Sequence, residues 1–150
     1  MPQLIDLTEK DVELFERAKT LLDRVYDPVI HQVASVLRAD SGQIYEGIHL
    51  GSRRINVCAE SSAVANSLMA GEKRIDTIVA VCKADNGQVV VTNPCGVCRE
   101  LMTMYGEDTQ VIVDIRGDVK KISAASLLPN PWMFPHENDW LANNPRNSAL

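Results

Sequence analysis

The chain has 150 residues, of which 45% are hydrophobic and 23% are charged, and its formal net charge is −5 at pH 7. This length favours one compact domain, and the acidic charge with scattered lysines and arginines argues against a protein that binds nucleic acid. The sequence holds no apolar run of ~20 residues and no basic, apolar leader, so we expect a cytoplasmic protein with no membrane partner.

The first predicted elements are a helix and a hairpin. Thr8 with Asp11 three positions later is typical of a helix start, and apolar residues then recur at helical spacing until Asp27-Pro28. This pattern predicts an amphipathic helix of about five turns. Residues 30–50 hold two apolar-rich runs around Asp40-Ser41-Gly42, which predicts two antiparallel strands.

The middle of the chain alternates helices and strands. Helices are predicted over residues 57–71 and from Cys95 to about Tyr105. Continuous apolar runs at 75–84 and 108–117 are typical of strands that are covered on both faces. A shorter strand, "VVVTN", lies between them. We therefore predict a three-layer α/β/α fold with a mixed sheet of about five strands.

The domain is predicted to cover residues 1–129, and residues 130–150 form a tail rich in proline and asparagine. Trp132, Phe134 and Trp140 lie in this tail, and large aromatic side chains need a surface to cover them. We expect the tail to pack on its own domain or on a neighbouring subunit.

The motif "CAE" at Cys58 to Glu60 and the motif "PCGVC" at Pro94 to Cys98 are the strongest functional signals. Cys95 and Cys98 flank a helix start, where the amide groups favour thiolates, and Cys58 opens a different helix. Three thiolates suit one tetrahedral metal, for which zinc is the best candidate. Three protein ligands leave a fourth position for water, which is the catalytic arrangement of zinc.

The carboxylate of Glu60, two residues after Cys58, is close enough to lean over such a metal without binding it. It can take a proton from the water and pass it to a ring nitrogen and then to a leaving amine. A ligand-x-Glu followed by Pro-Cys-x-x-Cys is the zinc deaminase signature. Three thiolates overcompensate the zinc charge, so a positive group near the sulfurs is needed, and Arg99 is the candidate.

Two other interpretations of the cysteines remain open. Thioredoxin-like enzymes also place Cys-x-x-Cys at a helix start, although near the beginning of the chain and without a third cysteine. A structural zinc site without catalysis is the second, and Glu60 argues against it, because a buried carboxylate beside thiolates is costly unless it is used.

At these residues the chain resembles the small zinc-dependent cytidine deaminases, in the branch with Cys as first ligand. The resemblance covers roughly residues 8–129. It implies that Cys58, Cys95 and Cys98 bind zinc and that Glu60 is the catalytic proton shuttle. It also implies that the backbone of Ala59 contacts the pyrimidine and that the backbone carbonyl of Asn93 meets the departing amine. Small members of this family are homotetramers, so the resemblance implies the same assembly here.

The sequence departs from the family where the sugar binds. The family's Asn-x-Glu-Asn stretch and the Arg after the catalytic Glu are replaced here by "GIHLGS" and Ser61. The loop from His49 to Glu60 has the length seen in blasticidin-S deaminases. In that alignment His49 stands where the sugar-binding Asn is expected, so we predict His49 as a substrate-binding residue.

These residues lead us to expect a hydrolytic, zinc-dependent deaminase that acts on a cytosine-ring nucleoside or nucleoside analogue and releases ammonia. A blasticidin-S-type deaminase is the alternative from the same class. Deamination of a base within RNA or DNA is opposed by the acidic charge.

Overall fold

The computed structural model describes residues 2–137, and its elements follow the predicted alternation. The three helices are α1 (Glu9–Val25), α2 (Ala59–Met69) and α3 (Gly96–Thr103). The strands are β1 (Val33–Ala39), β2 (Ile44–Ile48), β3 (Leu50–Gly51), β4 (Asn56–Val57), β5 (Ile75–Lys83), β6 (Val89–Val91), β7 (Gln110–Ile115) and β8 (Asp118–Ser123). Short 3-10 helices cover Ala124–Leu127 and Pro135–Glu137.

The main sheet has the strand order β2-β1-β5-β7-β8, and β6 pairs with β5 beside this path. The β5–β7 pair is parallel, whereas β1, β6 and β8 pair with their neighbours in antiparallel fashion. The sheet is therefore mixed, as predicted. A separate two-stranded ribbon is formed by β3 and β4, which follow β2 directly along the chain.

Helices cover both faces of the sheet, so the predicted three-layer arrangement is confirmed. On one face α1 packs against β1 and β5, and on the other α2 packs against β2 and β1 while α3 lies beside α2. Alternate residues of one strand enter opposite cores: Val36 faces α1, and Leu37 faces α2. Each core therefore depends on the strand register.

Helix α1 is held at its start by a buried carboxylate. Thr8 and Asp11 form a reciprocal capping box, in agreement with the prediction from their spacing. The Asp11 side chain has no exposed surface and also pairs with Arg38 at 3.0 Å and Lys121 at 2.7 Å. Burial raises the pKa of Asp11, but its hydrogen bonds outweigh this effect and lower the pKa to about 2.

The tail begins with irregular chain and a short 3-10 turn, and Trp140 lies outside the described residues. Trp132 is 67% exposed and Phe134 is 51% exposed. Their rings contact each other edge to face at 4.7 Å. Among residues 2–137, no helix is long and apolar enough to cross a membrane.

Candidate metal centre and active-site cavity

Helix α2 lies unusually close to strand β2 because Gly47 has no side chain. A Cβ built at Gly47 would lie 2.1 Å from the backbone N of Ala63 and 2.5 Å from the carbonyl O of Ala59. The Ser62 hydroxyl donates to the Ile48 carbonyl at 2.8 Å, and the Asn66 amide donates to the Glu46 carbonyl at 2.7 Å. These contacts fix the start of α2 on the sheet.

Two helix starts place the three predicted thiols together. Cys58 is the N-cap of α2 and Cys95 is the N-cap of α3, while Cys98 lies in the first turn of α3. The Sγ atoms of Cys58 and Cys95 are 3.5 Å apart. All three Sγ atoms lie within 4.8 Å of one another. The three cysteines are free thiols, so a disulfide does not explain this approach.

The sulfur geometry fits a tetrahedral metal. Zinc–sulfur bonds of ~2.3 Å in tetrahedral geometry place the sulfurs ~3.8 Å apart, close to the observed separation. Cys98 is fully buried, Cys58 is partly buried and Cys95 is exposed, so the cluster opens on one side. Three donors with one open side are what a catalytic metal requires.

The thiols differ in how their surroundings affect ionisation. Burial raises the pKa of Cys58 and of Cys98, and the nearby Glu60 carboxyl raises the pKa of Cys98 further. At Cys95 burial works in the same direction, but N–H groups of Val97 and Cys98 and contacts with the other thiols lower the pKa overall. Amide donors at the start of α3 therefore favour the Cys95 thiolate.

Glu60 lies in the first turn of α2, close enough to the thiols to influence the ionisation of Cys98. Only 6% of its surface is exposed, and burial raises the pKa of its carboxyl group. The neighbouring Cys98 side chain acts in the opposite direction and lowers this pKa, but burial outweighs it. A buried carboxyl group with a raised pKa beside a metal site is suited to proton transfer.

A cavity of about 270 Å³ opens beside the cluster. Its lining includes six of the residues predicted from the sequence, namely His49, Cys58, Ala59, Glu60, Asn93 and Cys95. Gln32, Val33, Asn56 and Thr92 complete the wall, and the sequence analysis singled out none of these four. The thiols of Cys58 and Cys95 and the buried carboxyl group of Glu60 therefore share one cavity with several polar side chains.

The side chain of Asn93 is occupied by the sheet. Its Nδ2 donates to the Asp114 carbonyl at 2.9 Å, and its Oδ1 accepts from the Asp114 N–H at 2.8 Å. These two bonds hold the segment between β6 and α3 against β7. Any contact of Asn93 with a substrate would therefore come from its backbone, as the resemblance implies.

Arg99 directly follows Cys98, and its side chain binds two backbone carbonyl groups. The Arg99 guanidinium donates to the Pro94 carbonyl at 2.9 Å and to the Leu127 carbonyl at 3.3 Å. It thus ties the segment before Cys95 to the 3-10 helix that follows β8. Arg53 and Arg54 occupy the exposed loop between β3 and β4.

A buried carboxyl group beside an open cluster of three thiols defines a hydrolytic metal site at the starts of two helices. Comparison with known proteins agrees with this class. Residues 8–114 match the family described as the cytidine and deoxycytidylate deaminase zinc-binding region. The chain is 32% identical over 130 residues to blasticidin-S deaminase of Bacillus cereus, covering 83% of this chain and 93% of that protein.

Solved structures show the same fold. The cytidine deaminase of Burkholderia pseudomallei superposes with a TM-score of 0.68 and 27% identity, covering 84% of this chain and all of that one. The cytidine deaminase of Bacillus anthracis gives a TM-score of 0.72 at 19% identity, covering 87% of this chain and 95% of that one.

The chain belongs to the family of zinc-binding cytidine and deoxycytidylate deaminases. The predicted fold, the predicted family and the prediction of a hydrolytic deaminase enzyme are therefore confirmed. Zinc as cofactor is confirmed by the zinc-binding family together with the thiol cluster.

Proposed function

We propose that this protein is a zinc-dependent hydrolytic deaminase that converts the ring amino group of a cytosine nucleoside or analogue to a carbonyl and releases ammonia. The observation that carries the proposal is the convergence of three Sγ atoms, a buried Glu60 and one cavity at the starts of α2 and α3. A redox pair is not supported, because a third thiol and a carboxyl group share the site.

The ligands in this proposal are Cys58, Cys95 and Cys98. When bound there, zinc supplies the Lewis acidity that makes a water molecule nucleophilic near neutral pH. Arg99 acts on the electrostatics of the ligand loop, since it holds the Pro94 carbonyl beside Cys95 and adds a positive charge near the thiolates.

Glu60 moves the protons in this proposal. It accepts one proton from the attacking water and delivers it to the ring nitrogen next to the reacting carbon. It then passes the second water proton to the amino group, which leaves as ammonia while the ring gains a carbonyl oxygen. The raised pKa of Glu60 favours the step in which the carboxylate takes the proton from water, because burial disfavours the charged form.

The cavity wall supplies the substrate contacts. We assign the Ala59 backbone to the pyrimidine ring and the Asn93 carbonyl to the departing amino group. His49 belongs to the end of the cavity that receives the sugar or its replacement. The two hydrogen bonds between Asn93 and Asp114 support this role, since they leave the Asn93 main chain as the part that can meet a substrate.

A blasticidin-S-type substrate is the second candidate. It is favoured by the 32% identity to a blasticidin-S deaminase across most of both chains. An assay of ammonia release with cytidine, deoxycytidine, cytosine, blasticidin S, adenosine and guanine separates the two candidates.

The variant Glu60→Gln tests the catalytic proposal. Loss of general acid–base catalysis lowers kcat by about 10² to 10⁴-fold, while zinc content and melting temperature stay unchanged. Glu100→Gln, an exposed position on α3, is the matched control and keeps full activity. A protein with zinc and an intact fold but no turnover on the whole panel would instead support a structural zinc site.

We further propose a homotetramer in a reducing compartment, the cytoplasm. Exposed apolar side chains on α2 and α3 support subunit contacts, among them Met69 at 79% and Val97 at 69% exposure. Free thiols at a metal site support a reducing environment. Light scattering on the full chain measures the assembly size.

We propose that residues 1–129 form the catalytic domain and that the tail from residue 130 packs on it or on a neighbouring subunit. The exposed rings of Trp132 and Phe134 support a packing role for the tail. Truncation after Pro129 should lower activity or change the assembly size, and a truncated protein that matches the full chain in both would refute this role.

A further inference from the structure

The polar end of the cavity is a connected chain of hydrogen bonds. Gln32, His49 and Asn56 all line the cavity, and we call these three residues its polar end. The backbone N–H of Gln32 donates to Nδ1 of His49 at 3.0 Å. The other ring nitrogen, Nε2, makes a hydrogen bond with Oδ1 of Asn56. His31 Nδ1 donates to the His49 carbonyl at 2.8 Å and holds the backbone beneath the ring.

These hydrogen bonds fix the tautomer of His49. A backbone N–H can only donate, so Nδ1 of His49 is an acceptor and carries no proton. The proton of the neutral ring is therefore on Nε2, which donates to Oδ1 of Asn56. Both ring nitrogens are in use within the protein. His49 consequently has no ring nitrogen left for a substrate.

Among these hydrogen-bonded residues, Asn56 has side-chain N–H donors that are still unused. Its Oδ1 is occupied by His49, and within residues 2–137 its Nδ2 makes no hydrogen bond, so the NH2 group is available to the cavity. Asn56 lies in β4, two residues before Cys58, and the backbone of Cys58 is also extended. Side chains two apart on an extended segment project to the same side, ~6.6 Å apart. Asn56 is therefore one pleat away from the metal site.

The other amide side chains of the wall are already engaged. Nε2 of Gln32 donates to the Pro28 carbonyl at 2.6 Å. The amide of Asn93 is paired with the Asp114 backbone. Asn56 therefore offers the amide donors that can distinguish one substrate from another at this end of the cavity.

We propose that Asn56 is a specificity-determining residue that donates from Nδ2 to an oxygen on the sugar end of the substrate, and that His49 is a positioning residue that orients the Asn56 amide. This inference rests on the proposed function. The partner must be an oxygen that accepts a hydrogen bond, because the NH2 group of Asn56 can only donate. The prediction of His49 as a substrate-binding residue is thereby refined, since His49 acts through Asn56.

Binding to the Glu60→Gln protein tests this inference without turnover. Calorimetry gives the dissociation constants of cytidine, deoxycytidine and blasticidin S, and also that of 1-methylcytosine, which has the ring but no sugar oxygen. The selectivity ratio is the affinity of the tightest of the first three ligands divided by the affinity of 1-methylcytosine. Asn56→Leu, of similar size but without donors, should lower this ratio about tenfold, as expected for one net hydrogen bond.

Further variants separate the donor from a structural role. Asn56→Asp keeps the acceptor for His49 and loses the donors, so it should lower the ratio as much as Asn56→Leu does. His49→Phe keeps a ring and releases the Asn56 amide, so it should lower the ratio by a smaller factor. Ile55→Ala, at the 62% exposed residue directly before Asn56, is the matched control and should leave the ratio unchanged.

In active protein, Asn56→Leu should raise KM for the preferred nucleoside with kcat nearly unchanged. A purely structural role for Asn56 would weaken all ligands equally, and an unchanged ratio would overturn the inference while leaving the proposed deaminase intact. A normal ratio in Asn56→Asp would also overturn it, because the donor would then be irrelevant. Failure of every cytosine nucleoside to bind would refute the proposed function itself.

Discussion

Replacement of Gly47 by alanine should damage the metal site although Gly47 is neither a proposed metal ligand nor a residue that lines the cavity. The added Cβ would lie 2.1 Å from the Ala63 N and 2.5 Å from the Ala59 O. These two atoms belong to the first turn of α2 and are hydrogen-bond partners, since a helical N–H bonds to the carbonyl four residues earlier. The methyl group would therefore push against the helix backbone, which has no alternative rotamer.

The required displacement can be read from this contact. Real Cβ atoms essentially never come within 3.0 Å of another heavy atom, so α2 must move by at least about 0.9 Å from β2. Cys58 and Glu60 move with the start of α2, whereas Cys95 and Cys98 belong to α3. A misplacement of this size costs about 10²-fold in rate, and overpacking costs about 1–3 kcal/mol of stability.

The assay combines kcat on the preferred nucleoside, zinc per chain by mass spectrometry and urea unfolding. We expect Gly47→Ala to lose about 10²-fold in kcat and to bind zinc more weakly, while remaining folded. Gly96→Ala is the control for stability, since its added Cβ meets nothing within 4 Å. Wild-type kcat and zinc affinity in Gly47→Ala would refute the argument that this close approach positions the ligands.

Three further changes have defined outcomes. Asp11→Asn should lower stability by about 2 kcal/mol at pH 7, because hydrogen bonds that outweigh the effect of burial hold the pKa of Asp11 at about 2. The lowered pKa of Asp11 stabilises the fold above about pH 4, and this stabilisation is lost as the pH falls towards 2. The difference in the free energy of unfolding between the wild type and Asp11→Asn, measured by urea unfolding, should therefore become smaller over that range. Cys98→Ser should abolish stoichiometric zinc binding in metal analysis, whereas Cys82→Ser, which changes a thiol outside the cluster, should keep one zinc per chain. Asn93→Asp loses one of the two bonds to Asp114 and should lower kcat about tenfold, while Asp114→Asn keeps both backbone partners and should leave kcat unchanged in the same assay.

The predicted elements were those with strong local signals. The capping box at Thr8 and the Asp27-Pro28 stop located α1, and the continuous apolar run at 75–84 located β5. Strand β8 was not predicted because Lys120-Lys121 breaks its apolar pattern. Lys121 is buried there only because it pairs with Asp11, which is 110 positions away in the sequence. A local pattern cannot contain such a partner.

The residues of the candidate site were likewise predictable only where the sequence carries a local signal. The thiols and Glu60 were recognisable because their chemistry demands particular residue types at short spacing. Asn56 had no such signal, since asparagine is common in loops and its link to His49 exists only after β3 and β4 pair. The sequence also could not predict the role of the Asn93 side chain, because its partner Asp114 contributes only backbone atoms, which every residue type provides.

Strand β5 pairs with two different strands along one edge. Thr77 and Ile78 face β7, whereas residues 81–83 face β6, so the sheet forks near Ala80. Asn93 closes the fork with its side chain, which takes the place of a strand's peptide group against Asp114. The main chain at Asn93 is thereby released from pairing without loosening the sheet. If the Asn93 carbonyl meets the departing amino group as proposed, a single amide side chain both completes the sheet and frees the main-chain atoms that the reaction uses, so one substitution at Asn93 would affect both.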